Sequence, residues 1–222
     1  MKPIRSPGRP GADVAAEVLV RHARQAGVTD ERVLEAVGTV PRALFVPGCY
    51  ADETWLDEPF PIGHGQTTSQ PSLIARMVEA LELTATARVL EVGTGLGYQA
   101  ALLGRLAGEV YTVELVRELA DEAARRLRDF GADNVHVICG DGSLGLPGKA
   151  PFDGIVAGCA ASKIPDAFAQ QLAEGGRLVL PLRRRRDEWV GVYARDDGEL
   201  RLLQQLCPVR FVPLVTSSSP TS

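Results

Sequence analysis

Two carboxylates and three glycines pose the first chemical question in this chain. Val89-Leu90-Glu91-Val92-Gly93-Thr94-Gly95-Leu96-Gly97-Tyr98 sets Gly93, Gly95 and Gly97 between a strand-like apolar run and a helical pattern, and Glu114 closes the next apolar run. Glycines at such a turn permit positive φ and close approach of a ligand. The G-x-G-x-G spacing differs from the dinucleotide G-x-G-x-x-G, whose third glycine comes one residue later. A carboxylate at Glu91, just before the turn, repels pyrophosphate but suits a cationic, phosphate-free cofactor. Glu114 stands where a carboxylate accepts hydrogen bonds from both hydroxyls of a ribose. The pair favours S-adenosyl-L-methionine over a nicotinamide dinucleotide. Asp141, in Cys139-Gly140-Asp141-Gly142, follows a third apolar run. Its carboxylate suits an adenine amino group with the Gly142 N–H beside it, and equally a plain Asp-Gly turn.

A second run, Ile62-Gly63-His64-Gly65-Gln66-Thr67-Thr68-Ser69-Gln70-Pro71, is dense in small and hydrogen-bonding residues. It leads directly into a helical pattern carried by Leu73, Ile74, Met77, Val78 and Leu81. Ser69 has two readings there: a hydroxyl that orients a substrate, or the N-cap before Gln70-Pro71. They are compatible, because helix N-termini also attract carboxylates. His64, between glycines, reads as a loop residue more readily than as a base. His22 and His136 have no partners suggesting ligation, and no metal is expected. Arg183-Arg184-Arg185-Arg186 has the composition of a phosphate patch, yet it lies between two strand patterns and precedes Asp187-Glu188. A solvated hairpin loop is the better reading.

These residues need a scaffold, and the pattern supplies one. Strands are expected at 88–92, 109–114, 135–139, 152–157 and 176–182, with helices at 97–106, 116–130 and 165–173 between them. Strands separated by such helices imply right-handed β-α-β units around a buried parallel sheet. The segments 188–194 and 200–212 alternate without helices and predict an antiparallel extension at one edge. Upstream, 13–26 and a segment capped by Thr29 or Asp30 and running to Val37 read as helices. The proline- and aromatic-bearing stretch 41–61 reads as an irregular layer packed on the core. Residues 1–12, with Pro3, Pro7, Gly8, Pro10 and Gly11, read as a flexible lead-in, and 216–222 as a flexible tail. Between them 13–215 is expected to form one domain: a helical and substrate-loop part at 13–87, a cofactor-binding core at 88–182, and C-terminal strands at 183–215.

The composition excludes several classes. At 222 residues the chain can bury a sizeable core. A net charge of −4 gives no basic field for nucleic acid, and no apolar run is long enough to span a bilayer. Cys49, Cys139, Cys159 and Cys207 are far apart and form no C-x-x-C pair, which fits thiols in a reducing compartment, the cytoplasm.

Taken together, the residues resemble the protein-L-isoaspartate (D-aspartate) O-methyltransferase family. The likeness runs from Val40-Pro41-Arg42 with Phe45-Val46 to Val209-Arg210-Phe211-Val212-Pro213-Leu214-Val215, and is most specific at 62–71 and 89–98. Gly140-Asp141-Gly142 and Ala150-Pro151-Phe152-Asp153 also match. The resemblance implies a Rossmann-like S-adenosylmethionine-dependent methyltransferase fold, α/β, with helices on both faces of a mostly parallel sheet. It implies methyl transfer to the α-carboxyl of L-isoaspartyl residues, with D-aspartyl a further possible acceptor, in damaged peptides and proteins, followed by spontaneous succinimide formation. Ser69 takes the active-site position. Glu91, Gly93, Thr94, Gly95, Gly97, Glu114, Asp141 and Gly142 are expected to hold the cofactor, and His64, Gln66, Thr67, Gln70 and Val212 the peptide. The chain is expected to act as a monomer, without nucleic acid or membrane. Two other readings stay open: a relative that methylates an aspartate in a dedicated peptide, and a catalytically silent cofactor-binding protein. The sequence departs from the family at Thr68, where isoleucine is usual, and at Gly158-Cys159-Ala160-Ala161-Ser162-Lys163.

Overall fold

A computed structural model describes residues 11–216 except 186. Of the expected lead-in 1–12, residues 1–10 lie outside the described residues, as do 217–222 of the tail, while Ala12 already belongs to the first helix.

Seven strands form the main sheet: β3 (Arg88–Val92), β4 (Glu109–Glu114), β5 (Val135–Cys139), β6 (Phe152–Ala157), β7 (Leu172–Arg184), β8 (Asp187–Asp196) and β9 (Glu199–Pro208). Their order is β5-β4-β3-β6-β7-β8-β9. The first five run parallel, and β8 and β9 add antiparallel at the edge. The order in which strands are added therefore switches sides between the parallel neighbours β3 and β6, and crevices for ligands open at the carboxyl ends of strands flanking such a switch.

The strands alternate between two cores, as a pleat requires. Val89, Val110, Val156 and Val179 pack with helices α1 (Ala12–Gln25), α2 (Glu31–Thr39), α3 (Pro71–Glu79), α4 (Tyr98–Leu106) and Leu127 of α5 (Arg117–Phe130). Leu90, Val92, Tyr111, Val113, Ile155 and Leu178 face Phe168 of α6 (Asp166–Gln171) on the other side. Asp30 caps α2 by accepting from Arg32 N at 2.9 Å, as its position before that helix predicts.

The expected edges need three corrections. β7 begins at Leu172 rather than 176, so α6 ends two residues early, at Gln171. β9 ends at Pro208, and 209–215 continues as an extended segment tied elsewhere. The arginine run is not all loop. Arg183 and Arg184 belong to β7, and Arg184 pairs with Asp187.

A hairpin absent from the expectations lies upstream. β1 (Pro61–Gly63) and β2 (Gln66–Thr67) pair antiparallel around His64-Gly65. Both turn residues have positive φ, 53° and 68°, the signature of the tight turn that matches strand twist. Ile62 anchors the hairpin against Leu96 and Leu119.

Candidate active site

Two clefts open at the carboxyl edge of the sheet. The first, about 460 Å³, is walled by Val92 and Gly93 at the end of β3, Val113 to Val116 at the end of β4, Leu119, Gly142, Gly158-Cys159 after β6, the β1–β2 hairpin and the segment 212–215. The second, about 510 Å³, is lined by Thr67 to Gln70, the first turns of α3, Gly158 and the segment 207–212. Thr67, Gly158 and Val212 belong to both, so the clefts adjoin across these three residues.

Backbone proximity makes the first cleft. Gly93 has φ 89°, and a Cβ on Gly158 would stand 3.1 Å from Gly93 O, so the two loops leave no room for side chains. A Cβ on Gly142 would meet Val92 Cγ1 at 2.5 Å. The segment 212–215 is stitched alongside: Ala160 N donates to Val212 O and Leu214 N to Ala160 O, each at 2.8 Å.

Glu114 is fixed before any ligand arrives. Its Oε2 accepts from Gly95 N at 2.9 Å and its Oε1 from Val116 N at 3.0 Å. A carboxylate has about four acceptor positions, so capacity for two hydroxyls remains. Glu91 is fully buried, with Oε2 accepting from Thr112 Oγ1 at 2.5 Å; Thr112 in turn contacts Thr94 Oγ1 at 2.6 Å. Its Oε1 is buried without a partner. Desolvation, opposed by the Thr112 bond and reinforced by Glu114, pushes the Glu91 carboxyl up to about 8. Burial likewise pushes the Cys159 thiol up to about 12, so it walls the cleft as a neutral group.

Among the expected cofactor residues, Gly93, Gly95, Glu114 and Gly142 line this cleft. Glu91, Thr94, Gly97 and Asp141 do not. Gly97 is a packing residue: with φ 94° it precedes α4, and a Cβ there would come within 3.2 Å of Leu127. Asp141 Oδ1 accepts from Ser143 N at 2.9 Å and Ser143 Oγ at 2.6 Å, which is the turn reading of that residue. Leu115, Cys159 and Leu214 line the cleft without having been singled out for it. Leu115 had a legible signal, an apolar side chain directly after the strand-end carboxylate.

The expected peptide residues divide. Thr67, Ser69, Gln70 and Val212 line the second cleft. His64 and Gln66 line the first, because the hairpin turn carries them over it. Ser69 is half-buried and makes no hydrogen bond among the described residues. Nor does it cap α3, whose cap residue is Gln70, a side chain that makes no capping bond and donates instead to Ser72 Oγ at 3.0 Å. That work falls to Asp57, distant in sequence. Its Oδ1 accepts from Ser72 N at 2.8 Å, and its Oδ2 from Ser72 Oγ at 2.6 Å and, weakly, from Gln70 Nε2 at 3.5 Å. Asp57 is held in place by buried Arg42, which donates to the carbonyls of Thr54, Leu56 and Glu58 and lies over the Phe60 ring. Thr68 also has a structural task. It pairs with Phe60 twice, N to Phe60 O at 2.8 Å and Oγ1 from Phe60 N at 2.9 Å.

The parallel sheet with its switch-point cleft, together with the relatives below, places the chain in a class: a Rossmann-like methyltransferase. A family model described as Protein-L-isoaspartate(D-aspartate) O-methyltransferase (PCMT) matches residues 14–219. A protein-L-isoaspartate O-methyltransferase of Anaeromyxobacter dehalogenans (strain 2CP-C) is 51% identical over 190 residues, covering 85% of this chain and 91% of that one. A solved protein-L-isoaspartate O-methyltransferase matches with a TM-score of 0.80 at 30% identity over 89% of this chain, which spans 65% of that chain. A putative enzyme of the same name from Plasmodium falciparum, in complex with S-adenosyl-L-homocysteine, gives a TM-score of 0.80 at 22% identity, covering 96% of this chain and 100% of that one. At that identity the likeness bears on the fold. The chain belongs to the protein-L-isoaspartate (D-aspartate) O-methyltransferase family.

Proposed function

We propose that this protein transfers a methyl group from S-adenosyl-L-methionine to the α-carboxylate of L-isoaspartyl residues in damaged peptides and proteins, working as a monomer in the cytoplasm. The observation that carries the reading is the junction at Thr67, Gly158 and Val212, with Glu114 on one side and Ser69 on the other.

The residues of the first cleft fit the cofactor. Its volume lies in the range of small-molecule sites. Glu114 is preset for a ribose, and Leu115, 36% exposed, offers an apolar face for a base beside it. When bound, S-adenosyl-L-methionine supplies a methyl group carried on a sulfonium.

The chain's own residues then have modest work. An α-carboxylate is ionised at neutral pH, so no general base is needed. Ser69, with its hydroxyl free of other bonds among the described residues, donates to one carboxylate oxygen and aims the other at the junction. Thr67 and Val212 confine the acceptor from either side. Alignment of this sort supplies the rate. A neutral donor holds the ground-state carboxylate less tightly than a charged clamp, which favours turnover. The ester formed is then lost to succinimide without help from the protein. The four free cysteines support a reducing location.

The test uses labelled S-adenosyl-L-methionine with matched peptides containing isoaspartate or aspartate. Base-labile label is expected on the isoaspartyl peptide alone. Equal labelling of both, or of neither, overturns the reading.

A further inference from the structure

The acceptor cleft has an uneven charge. Its lining residues include Arg76 and Arg210 and no carboxylate, in a chain whose net charge is −4. Neither arginine has an acidic side chain within salt-bridge distance among the described residues. Arg76, on α3, donates to Leu206 O at 3.1 Å and keeps its remaining N–H groups. Arg210 has no hydrogen bond or ion pair among the described residues.

The backbone around Arg210 is held on both sides by one residue. Val209 N donates to Glu188 O at 2.9 Å, and Phe211 N to Glu188 Oε1 at 2.5 Å. Glu188 is buried and paired with Arg183 at 3.0 Å, and Arg183 also donates to Phe211 O at 3.4 Å. The same glutamate therefore neutralises the root of the arginine run and pins the segment on which Arg210 stands. Beyond that root, the exposed Arg184 and Arg185 have no carboxylate partner among the described residues. Lys163 is exposed too, on a loop bonded to β7 through Arg183 N to Ala161 O at 2.9 Å. Asp187, opposite Arg184, is the nearest opposing charge in register.

We propose that Arg210 and Arg76 select the sequence around the isoaspartyl residue, favouring peptides with acidic side chains on either flank, and that the arginine-bearing β7–β8 turn extends this preference along the substrate. The inference rests on the isoaspartyl reading and adds the substrate's charge to it. Ser69 still receives the reacting carboxylate through a neutral hydroxyl; the arginines act on its neighbours. Exposed pairs of this kind change affinity by about threefold each, and less as salt rises.

The test compares kcat/KM for three isoaspartyl peptides of equal length, flanked by glutamates, glutamines or lysines, at low and high salt. The glutamate-flanked peptide is expected to exceed the lysine-flanked one by about tenfold at low salt, through KM, with the ratio shrinking at high salt. Arg210→Gln should bring the ratio toward one, and Arg210→Glu should invert it. Circular dichroism and cofactor affinity establish that both variants are folded. Equal kcat/KM for the three peptides, or a ratio that neither variant moves, overturns the selection by charge and leaves the isoaspartyl activity standing. If the glutamine-flanked isoaspartyl peptide accepts no methyl, the activity reading falls and this inference falls with it.

Discussion

Asp57→Ala will weaken both the fold and the turnover of this protein, while leaving cofactor affinity nearly intact. The substitution removes the acceptor of Ser72 N, a bond equivalent to a helix N-cap and worth about 1 kcal/mol. It also removes the charge-assisted bond from Ser72 Oγ, worth about 1.5 kcal/mol because Ser72 is buried and no water replaces the carboxylate. The sum, about 2–3 kcal/mol, corresponds to a fall in Tm of about 5–10 °C for a chain of this size. Gln70 loses its carboxylate partner as well, so the residues flanking Ser69 lose their anchor. A displacement of about 1 Å at the reacting group lowers kcat by about tenfold to a hundredfold. Calorimetry reads the first effect, methylation of an isoaspartyl peptide the second, and titration with S-adenosyl-L-homocysteine the third. Asp57→Asn, which keeps one acceptor, should lose about half as much stability. An alanine variant with parental Tm and kcat would refute the assignment of Asp57 as the anchor of this loop.

Ser69→Ala should behave in the opposite sense: its hydroxyl bonds nothing among the described residues, so Tm stays at the parental value while kcat falls by about tenfold or more, and a parental kcat removes Ser69 from catalysis. Thr68→Val should lower Tm by about 2–4 °C, the effect of one lost bond to Phe60 N, with little change in kcat. A large drop in kcat with unchanged Tm would instead place the Thr68 hydroxyl on the substrate. Glu91 gives a pH signature. Its carboxyl is raised from an ordinary 4.5 to about 8, so the folded protein binds the extra proton and stability is lost as pH rises through that window. Glu91→Gln should flatten this slope in cofactor-free protein melted between pH 5 and pH 9, and an unchanged slope refutes the buried protonated state.

The parallel core was legible because its strands are short, mostly apolar runs separated by helical patterns of the length that β-α-β units need. The expected limits at 88–92, 109–114, 135–139 and 152–157 coincide with β3 to β6. β7 was misread at its start because Leu172-Ala173-Glu174-Gly175-Gly176 looks like a helix ending in a glycine turn, whereas pairing with β6 extends the strand through it. The β1–β2 hairpin left almost no trace. It has five strand residues and depends on a histidine adopting positive φ, which few side chains favour. The hairpin is what carries His64 and Gln66 to the first cleft, apart from Ser69 and Gln70. Capping of α3 was one of two local readings of Ser69, but the carboxylate at that helix start comes from Asp57. No local pattern connects residues brought together only by the loop that Arg42 holds.

The meeting of the two clefts at Thr67, Gly158 and Val212 also has a consequence for the proteins acted upon. On the proposed reading of the second cleft, a carboxylate descends between α3 and the segment 207–212 to reach this junction, with chain on either side. A residue locked in a helix or sheet of its own protein cannot make that descent without breaking its hydrogen bonds. The local opening free energy of the target then adds directly to the cost of binding. An altered residue in a tightly packed segment is thus shielded from methylation by the stability of its host. The apparent preference among targets is set by their unfolding equilibria as well as by the shape of this cleft.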